Sequence, residues 1–275
     1  KMNVVNLALS ALLASSSMLI VSSTVVRSCN LAEKPEPTGP YQAYSGDTKV
    51  AHTHIVFEDI TPADEVESIL NTLKERNTKA SFFMHTDKID DETKPLLQRM
   101  VDEGHTIGSK GQSSNPQVNF LYANNTYIEQ QITGADSDFK EAIGFVPSLY
   151  APSFGALDSR GQKILNKNGK TTVMWSAGAN GWWFLDNKEP LATAVAGIRY
   201  TLPEAGGIIL LPTNAEIVDE YLSQVWPYWK FVDFDTCTGS SGKAAKAAKA
   251  FGKSSKSESK SKKGGADAKA EKVST

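Results

Sequence analysis

The sequence is poor in the residues that most often hold metals. Only four histidines occur among 275 residues, His52, His54, His85 and His105, and none follows His105. Cysteine is limited to Cys29 and Cys237. A zinc module built on repeated Cys and His pairs is therefore excluded, as is a small disulfide-dense scaffold. Neither sign of charge dominates, the net being −2. What is present is 40% hydrophobic and 9% aromatic residues, enough for a sizeable core and too apolar for a wholly disordered chain.

The two ends differ from the body. Residues 4–26, VVNLALSALLASSSMLIVSSTVV, carry no charge and many small residues. With Val21 and Ser23 ahead of Thr24, they read as a secretory signal peptide over 1–23. A retained membrane anchor and a lipidated Cys29 are the alternatives, although the serines make a poor spanning helix. After cleavage no transmembrane segment is expected. Residues 24–47 read as a linker or N-terminal wrap. Residues 239–275 hold ten lysines against three acids in a Lys/Ala/Ser/Gly background, and read as a disordered basic tail. Such a tail could tether to a polyanion. With Phe251 its only aromatic, it is not built for specific nucleic-acid recognition. In an exported chain Cys29 and Cys237 are expected to form one disulfide, two free thiols being the alternative. Asn124-Asn125-Thr126 is a glycosylation sequon at Asn124.

Between the ends, over 48–238, short apolar runs alternate with segments of helical period. HTHIVFE (52–58) reads as a buried strand, and Thr61 as the cap of a helix that buries Val66, Ile69, Leu70 and Leu73. ASFFM (80–84), HTIGS (105–109), SLYAP (148–152), TTVMW (171–175), GIILL (207–211) and KFVDF (230–234) read as further strands. A helix through Leu97, Met100 and Val101 ends at Gly104, and Thr126-x-x-Glu129 reads as a capping box. Further helices are expected near 158–168, 191–201 and 214–225. About seven strand–helix repeats imply parallel strands with right-handed crossovers. The fold class is α/β, best read as a distorted barrel, with a doubly wound open sheet as the alternative.

VFEDITP (56–62), KASFFM (79–84), VDEGHTIGS (101–109), APSFG (151–155) and GGIILLP (206–212) occur in an order and spacing that resemble the polysaccharide deacetylase family, carbohydrate esterase family four. The resemblance covers roughly 50–237 and implies a distorted α/β barrel with its site at the carboxyl ends of the strands. It also implies metal-assisted removal of acetyl groups from N-acetylglucosamine in chitin or peptidoglycan. In that chemistry an Asp and two His hold a divalent ion, a second Asp acts as base and a His protonates the leaving amine.

Mapped residue by residue, the pattern departs from this. Glu58 stands for the base and Asp59 for the metal Asp. Lys110 stands where the first metal His belongs, and Ser114 or Asn115 where the second belongs. Ala151 replaces the Arg that orients the base, Phe154 replaces a Tyr, and Pro212 stands where the acid His belongs. Lys110 is either a solvated loop lysine or a cation paired with Asp59. The expectation is a secreted, extracellular or wall-associated protein of the deacetylase type without catalytic or metal residues. It would need no cofactor, and its role in a spore wall or cell wall would be structural or glycan-binding.

Two alternatives remain open. One is an active deacetylase using zinc or cobalt. The other is a hydrolase of another class built on His52, His54 and Glu58, with Asp59 and His85 nearby. His54 lies several residues before the end of its strand, which favours a structural role. His105 follows a helix end, where a cation would suit the dipole, and carries no chemistry. Tyr122, Phe154, Trp175 and Trp182 are the candidates for stacking on sugar rings of chitin or another wall polysaccharide.

Overall fold

In a computed structural model of the chain, residues 25–26, 29, 52–115, 120–178, 180–201, 206–226 and 230–238 are described. The signal-peptide reading of 1–23, most of the 24–47 wrap and the basic tail lie outside the described residues.

All strand pairings are parallel. β2 (His52–Glu58) pairs with β3 (Ala80–His85), which pairs with β4 (Thr106–Gly111). Next come the short β5 (Leu149–Tyr150) and β6 (Thr171–Val173). β1 (Val25–Val26) lies beside β6. On its other edge β2 pairs along its length with β7 (Gly206–Leu211). β8 (Lys230–Phe231) adds to the amino-terminal half of β2. A bridge between Ala177 and Ile209 then joins the segment after β6 to β7, so the sheet curls into a distorted barrel instead of lying open.

Strand alternation sorts the side chains into two layers. Ile55, Phe57, Phe82 and Met84 point outward into the main core. There they meet α1 (Ala63–Glu75), α2 (Lys94–Glu103), α6 (Leu191–Tyr200) and α7 (Ala215–Val225). Val66, Ile69, Leu70 and Leu73 form the buried stripe of α1. α3 (Asn125–Ile143) and α4 (Ser159–Lys167) close over Tyr150 in a smaller cluster. Val56, Phe83, Leu149, Val173, Ile208 and Leu210 fill the barrel interior. Gly108 is required there, because a Cβ on it would lie 2.2 Å from the Phe83 ring.

Several boundaries differ from expectation. The cap of α1 is Pro62, with no side-chain bond from Thr61. α3 is capped by Asn124, whose Oδ1 accepts from the Tyr127 amide, so Thr126 lies inside the first turn. Asn and Ser/Thr caps satisfy the same orphan amides, and here the earlier residue does so. The last strand stops at Phe231, and Phe234–Thr238 forms a short α8. α5 (Gly181–Asp186), rich in aromatics, is a helix that periodicity did not reveal.

The barrel floor, at the amino-terminal ends of the strands, is tied covalently. Cys29 and Cys237 form a disulfide across 208 residues of sequence, and both are buried in the interior cluster. Beside them His54 is fully buried. Its Nδ1 donates to the Val232 carbonyl at 2.8 Å, and its Nε2 accepts from the Ser81 hydroxyl at 2.8 Å. That pattern needs the neutral ring. Burial accordingly lowers the His54 pKa to about 4. Burial also lowers His105 to about 4, so this residue is not the helix-end cation that its sequence position suggested; it accepts the Ala80 amide at Nδ1.

Two outcomes follow from the floor. Alkylation is expected to add nothing before reduction and two labels after it, with reduction lowering the unfolding free energy by about 2–5 kcal/mol. Stability should also fall as pH drops from about 6.5 to about 4, because there the unfolded chain protonates His54 and His105 and the folded chain does not. Urea midpoints across that window measure it, and His54→Gln should flatten the slope.

Candidate functional site at the barrel rim

Inward-facing positions at the carboxyl ends of β2, β3 and β4 carry Glu58, His85 and Lys110. Asp59 follows β2 directly in a left-handed conformation, φ 72°. Its amide donates to the Phe83 carbonyl at 2.6 Å, which turns the carboxylate back over the rim.

There the side chains form one polar network. Lys110 Nζ donates to Glu58 Oε2 at 2.9 Å and lies 3.7 Å from Asp59 Oδ2. Asp59 Oδ1 lies 3.1 Å from His85 Nδ1 and accepts the His85 amide at 3.4 Å. His85 Nε2 in turn lies 3.0 Å from Ser153 Oγ. The lysine is no solvated loop residue, since its side chain is only 6% exposed. It offsets two carboxylates at once, as a buried cation must. Burial pushes the Glu58 carboxyl up, against the pull of Lys110. Burial acts the same way on Asp59, but bonds from His85 and the charge of Lys110 outweigh it and hold that carboxyl at about 2. Glu58 Oε1 is buried and bonds to no described residue.

The remaining sequence candidates are placed as follows. Ala151 is buried in the barrel interior, its amide on the Ser109 carbonyl. Pro212 packs so closely on Gly181 that a Cβ there would lie 2.7 Å from its ring. Ser114 donates from both its amide and hydroxyl to Asp87, at 2.7 and 2.9 Å. Trp175 and Trp182 are half-buried against the interior cluster. Trp175 also lies beside Gly155, next to Phe154, which is 71% exposed. Tyr122 stands exposed on the turn before α3.

His54 and Glu58 are not brought together. They share a face but lie about 13 Å apart along the strand, and both ring nitrogens of His54 are committed at the floor. Among the described residues, no group of three or more His, Cys, Asp or Glu could hold a metal ion.

Sequence reasoning set His85 near Glu58 or Asp59 only as part of an alternative hydrolase site, and did not single out Ser153. The alternation in ASFFMH was a usable signal, since it sets His85 inward with Ser81 and Phe83. Ser153 carried no such signal.

Replacing Lys110 by Met should cost about 3–5 kcal/mol of stability, because it leaves two facing carboxylates without a counter-charge. Adding Glu58→Gln to that variant should recover part of the loss. Urea unfolding at neutral pH measures both.

A family model described as polysaccharide deacetylase matches residues 45–173. A peptidoglycan-N-acetylglucosamine deacetylase of Bacillus cereus is 25% identical over 140 residues, which is 51% of this chain and 50% of that protein. The chain thus spans only half the length of that curated relative. The chitin deacetylase of the fungal pathogen Colletotrichum lindemuthianum superposes with a TM-score of 0.63 at 15% identity, covering 79% of this chain and 92% of the other. A family-four pseudoenzyme from Bacillus anthracis superposes with a TM-score of 0.58 at 16% identity, over 68% of this chain and 65% of the other. The two structural likenesses agree with the curled parallel sheet. Those likenesses show the fold, and over residues 45–173, a little under half of the chain, the sequence is that of the polysaccharide deacetylase family, carbohydrate esterase family four.

Proposed function

We propose that the protein is silent toward metal-dependent deacetylation and serves outside the cell as a glycan-binding or structural member of a wall, with chitin or a related polysaccharide as its ligand. The observation that carries this reading is the Lys110 ammonium, bonded to Glu58 and close to Asp59. In the family pattern Asp59 would be a metal ligand. A divalent ion there would sit against a fixed positive charge, with a single family carboxylate and no family imidazole to hold it. The residues present do not fit the ion, and no step is derived through one. Ala151 and Pro212 offer neither the guanidinium nor the proton donor that the family reaction uses.

Support for a glycan ligand comes from the aromatic side chains on the rim side, Phe154 and Trp175, whose faces suit a sugar ring. The disulfide suits an oxidising, extracellular compartment. Among the described residues, no helix is long and apolar enough to cross a membrane. The basic tail adds a salt-sensitive contact with a polyanion.

Metal analysis and acetate release separate this reading from that of an active zinc or cobalt enzyme. The expected result is no stoichiometric metal and no acetate from chitin oligomers above a blank, with the protein retained on insoluble chitin. Stoichiometric metal accompanied by turnover would overturn it.

A further inference from the structure

The rim also holds an arrangement that the deacetylase reading does not use. Ser153, His85 and Asp59 stand in line, with Ser153 Oγ 3.0 Å from His85 Nε2 and His85 Nδ1 3.1 Å from Asp59 Oδ1. They come from three separate elements, the turn after β5 and the ends of β3 and β2. The roles of the two ring nitrogens follow from their partners. Asp59 is a carboxylate with Lys110 on its second oxygen, so it can only accept, and Nδ1 carries the proton. In the neutral ring the lone pair of Nε2 then faces the serine hydroxyl. This is the relation between nucleophile, base and orienting acid on which nucleophilic hydrolases depend, and it is recognised by geometry whatever the fold.

The setting of Ser153 agrees with such a role. It opens a tight turn where a parallel strand gives way to a short 3-10 helix, and the next residue, Phe154, is held at φ 59°. A non-glycine side chain in that region is strained, and strain of this kind clusters at functional sites. The Phe154 amide donates to no described residue. The residue after a nucleophile on such a turn commonly supplies a donor to the oxyanion. His85 is buried, its side chain 7% exposed, while Ser153 is half-buried and Phe154 beside it is open.

We propose that Ser153, His85 and Asp59 form a nucleophilic triad that hydrolyses small acyl esters without a metal. Ser153 Oγ would bond to the ester carbonyl carbon as its proton passes to His85 Nε2. Asp59 holds the ring and balances the imidazolium, and the Phe154 amide donates to the oxyanion. Collapse breaks the carbon–alkoxy bond, and the alcohol leaves with the proton from Nε2. Water then attacks the acyl-serine, again giving its proton to Nε2, and the acid leaves as the proton returns to Ser153. The step runs through a serine nucleophile and needs no metal, so the inference stands apart from the function proposed above. Lys110 is a positioning residue here, since it holds Asp59 through its second oxygen.

The test is covalent labelling of the full chain by an aryl fluorophosphonate in EDTA, with the adduct mapped by peptide mass, and 4-nitrophenyl acetate hydrolysis alongside. The expected result is a single adduct on Ser153 in the folded protein, lost in Ser153→Ala together with the hydrolysis. His85→Gln should slow labelling by about 10²- to 10⁴-fold, the usual contribution of a positioned base, while circular dichroism stays unchanged. A merely structural latch would move neither rate. If His85→Gln does not fold, labelling of folded and urea-unfolded wild type decides, and equal labelling of the two overturns the proposal. So does an unlabelled Ser153 in the folded chain, or a folded His85→Gln that labels at the wild-type rate. EDTA keeps any metal-dependent acetate release, which would sink the function proposed above, from affecting this result.

Discussion

The rim of the barrel depends on one ammonium. Glu58 and Asp59 are adjacent in sequence and both face the top of the barrel, where their like charges would repel. Lys110 reaches between them from β4 and is held there on three sides. Its carbonyl accepts the Tyr150 hydroxyl at 2.8 Å, and the Ser109 carbonyl beside it accepts the Ala151 amide at 2.9 Å. Two residues earlier, Gly108 leaves the space that the Phe83 ring fills, so the strand can lie close to β3. The register of β4 against its neighbours therefore sets the height of the ammonium. A buried charge of this kind costs more in lost hydration than an exposed one, and it persists only because it has two anionic partners.

That single placement organises the rest of the site. With Lys110 on one oxygen of Asp59, the other is left to His85, and the proton on the imidazole is thereby assigned to Nδ1. His85 then presents its second nitrogen to the turn after β5. The same turn carries the exposed Phe154, and Trp175 packs beside it. Charge, tautomer and aromatic surface are linked through shared contacts, so changes at any one of them should be felt by the others.

Much of the fold was legible because apolar periodicity reports burial directly. The stripe of Val66, Ile69, Leu70 and Leu73, the αL glycine at Gly104 and the parallel alternation were all readable in this way. The caps were not, since Thr61 and Thr126 were as plausible as Pro62 and Asn124, and propensity alone does not rank neighbouring capping residues. α5 escaped notice because Gly181–Asp186 has no polar face to show a period. At the site, sequence order placed Glu58, Asp59 and Lys110 but left Lys110 between a solvated and a paired state. Only the distances decide between them. Ser153 and His85 lie 68 residues apart, and nothing local announces that β3 and the turn after β5 deliver them to the same point.

The disulfide at the floor has a mechanical consequence. Because Cys29 and Cys237 enclose β2 to β8 within one covalent loop, tension applied between residues outside that loop passes through the sulfur–sulfur bond. The hydrogen-bonded ladders among β2 to β8 would carry none of it, and only β1, which lies outside the loop, could be peeled from β6. A protein fixed at one end to a matrix and pulled at the other could then stretch without its barrel being unzipped, and the rim would keep its shape under load.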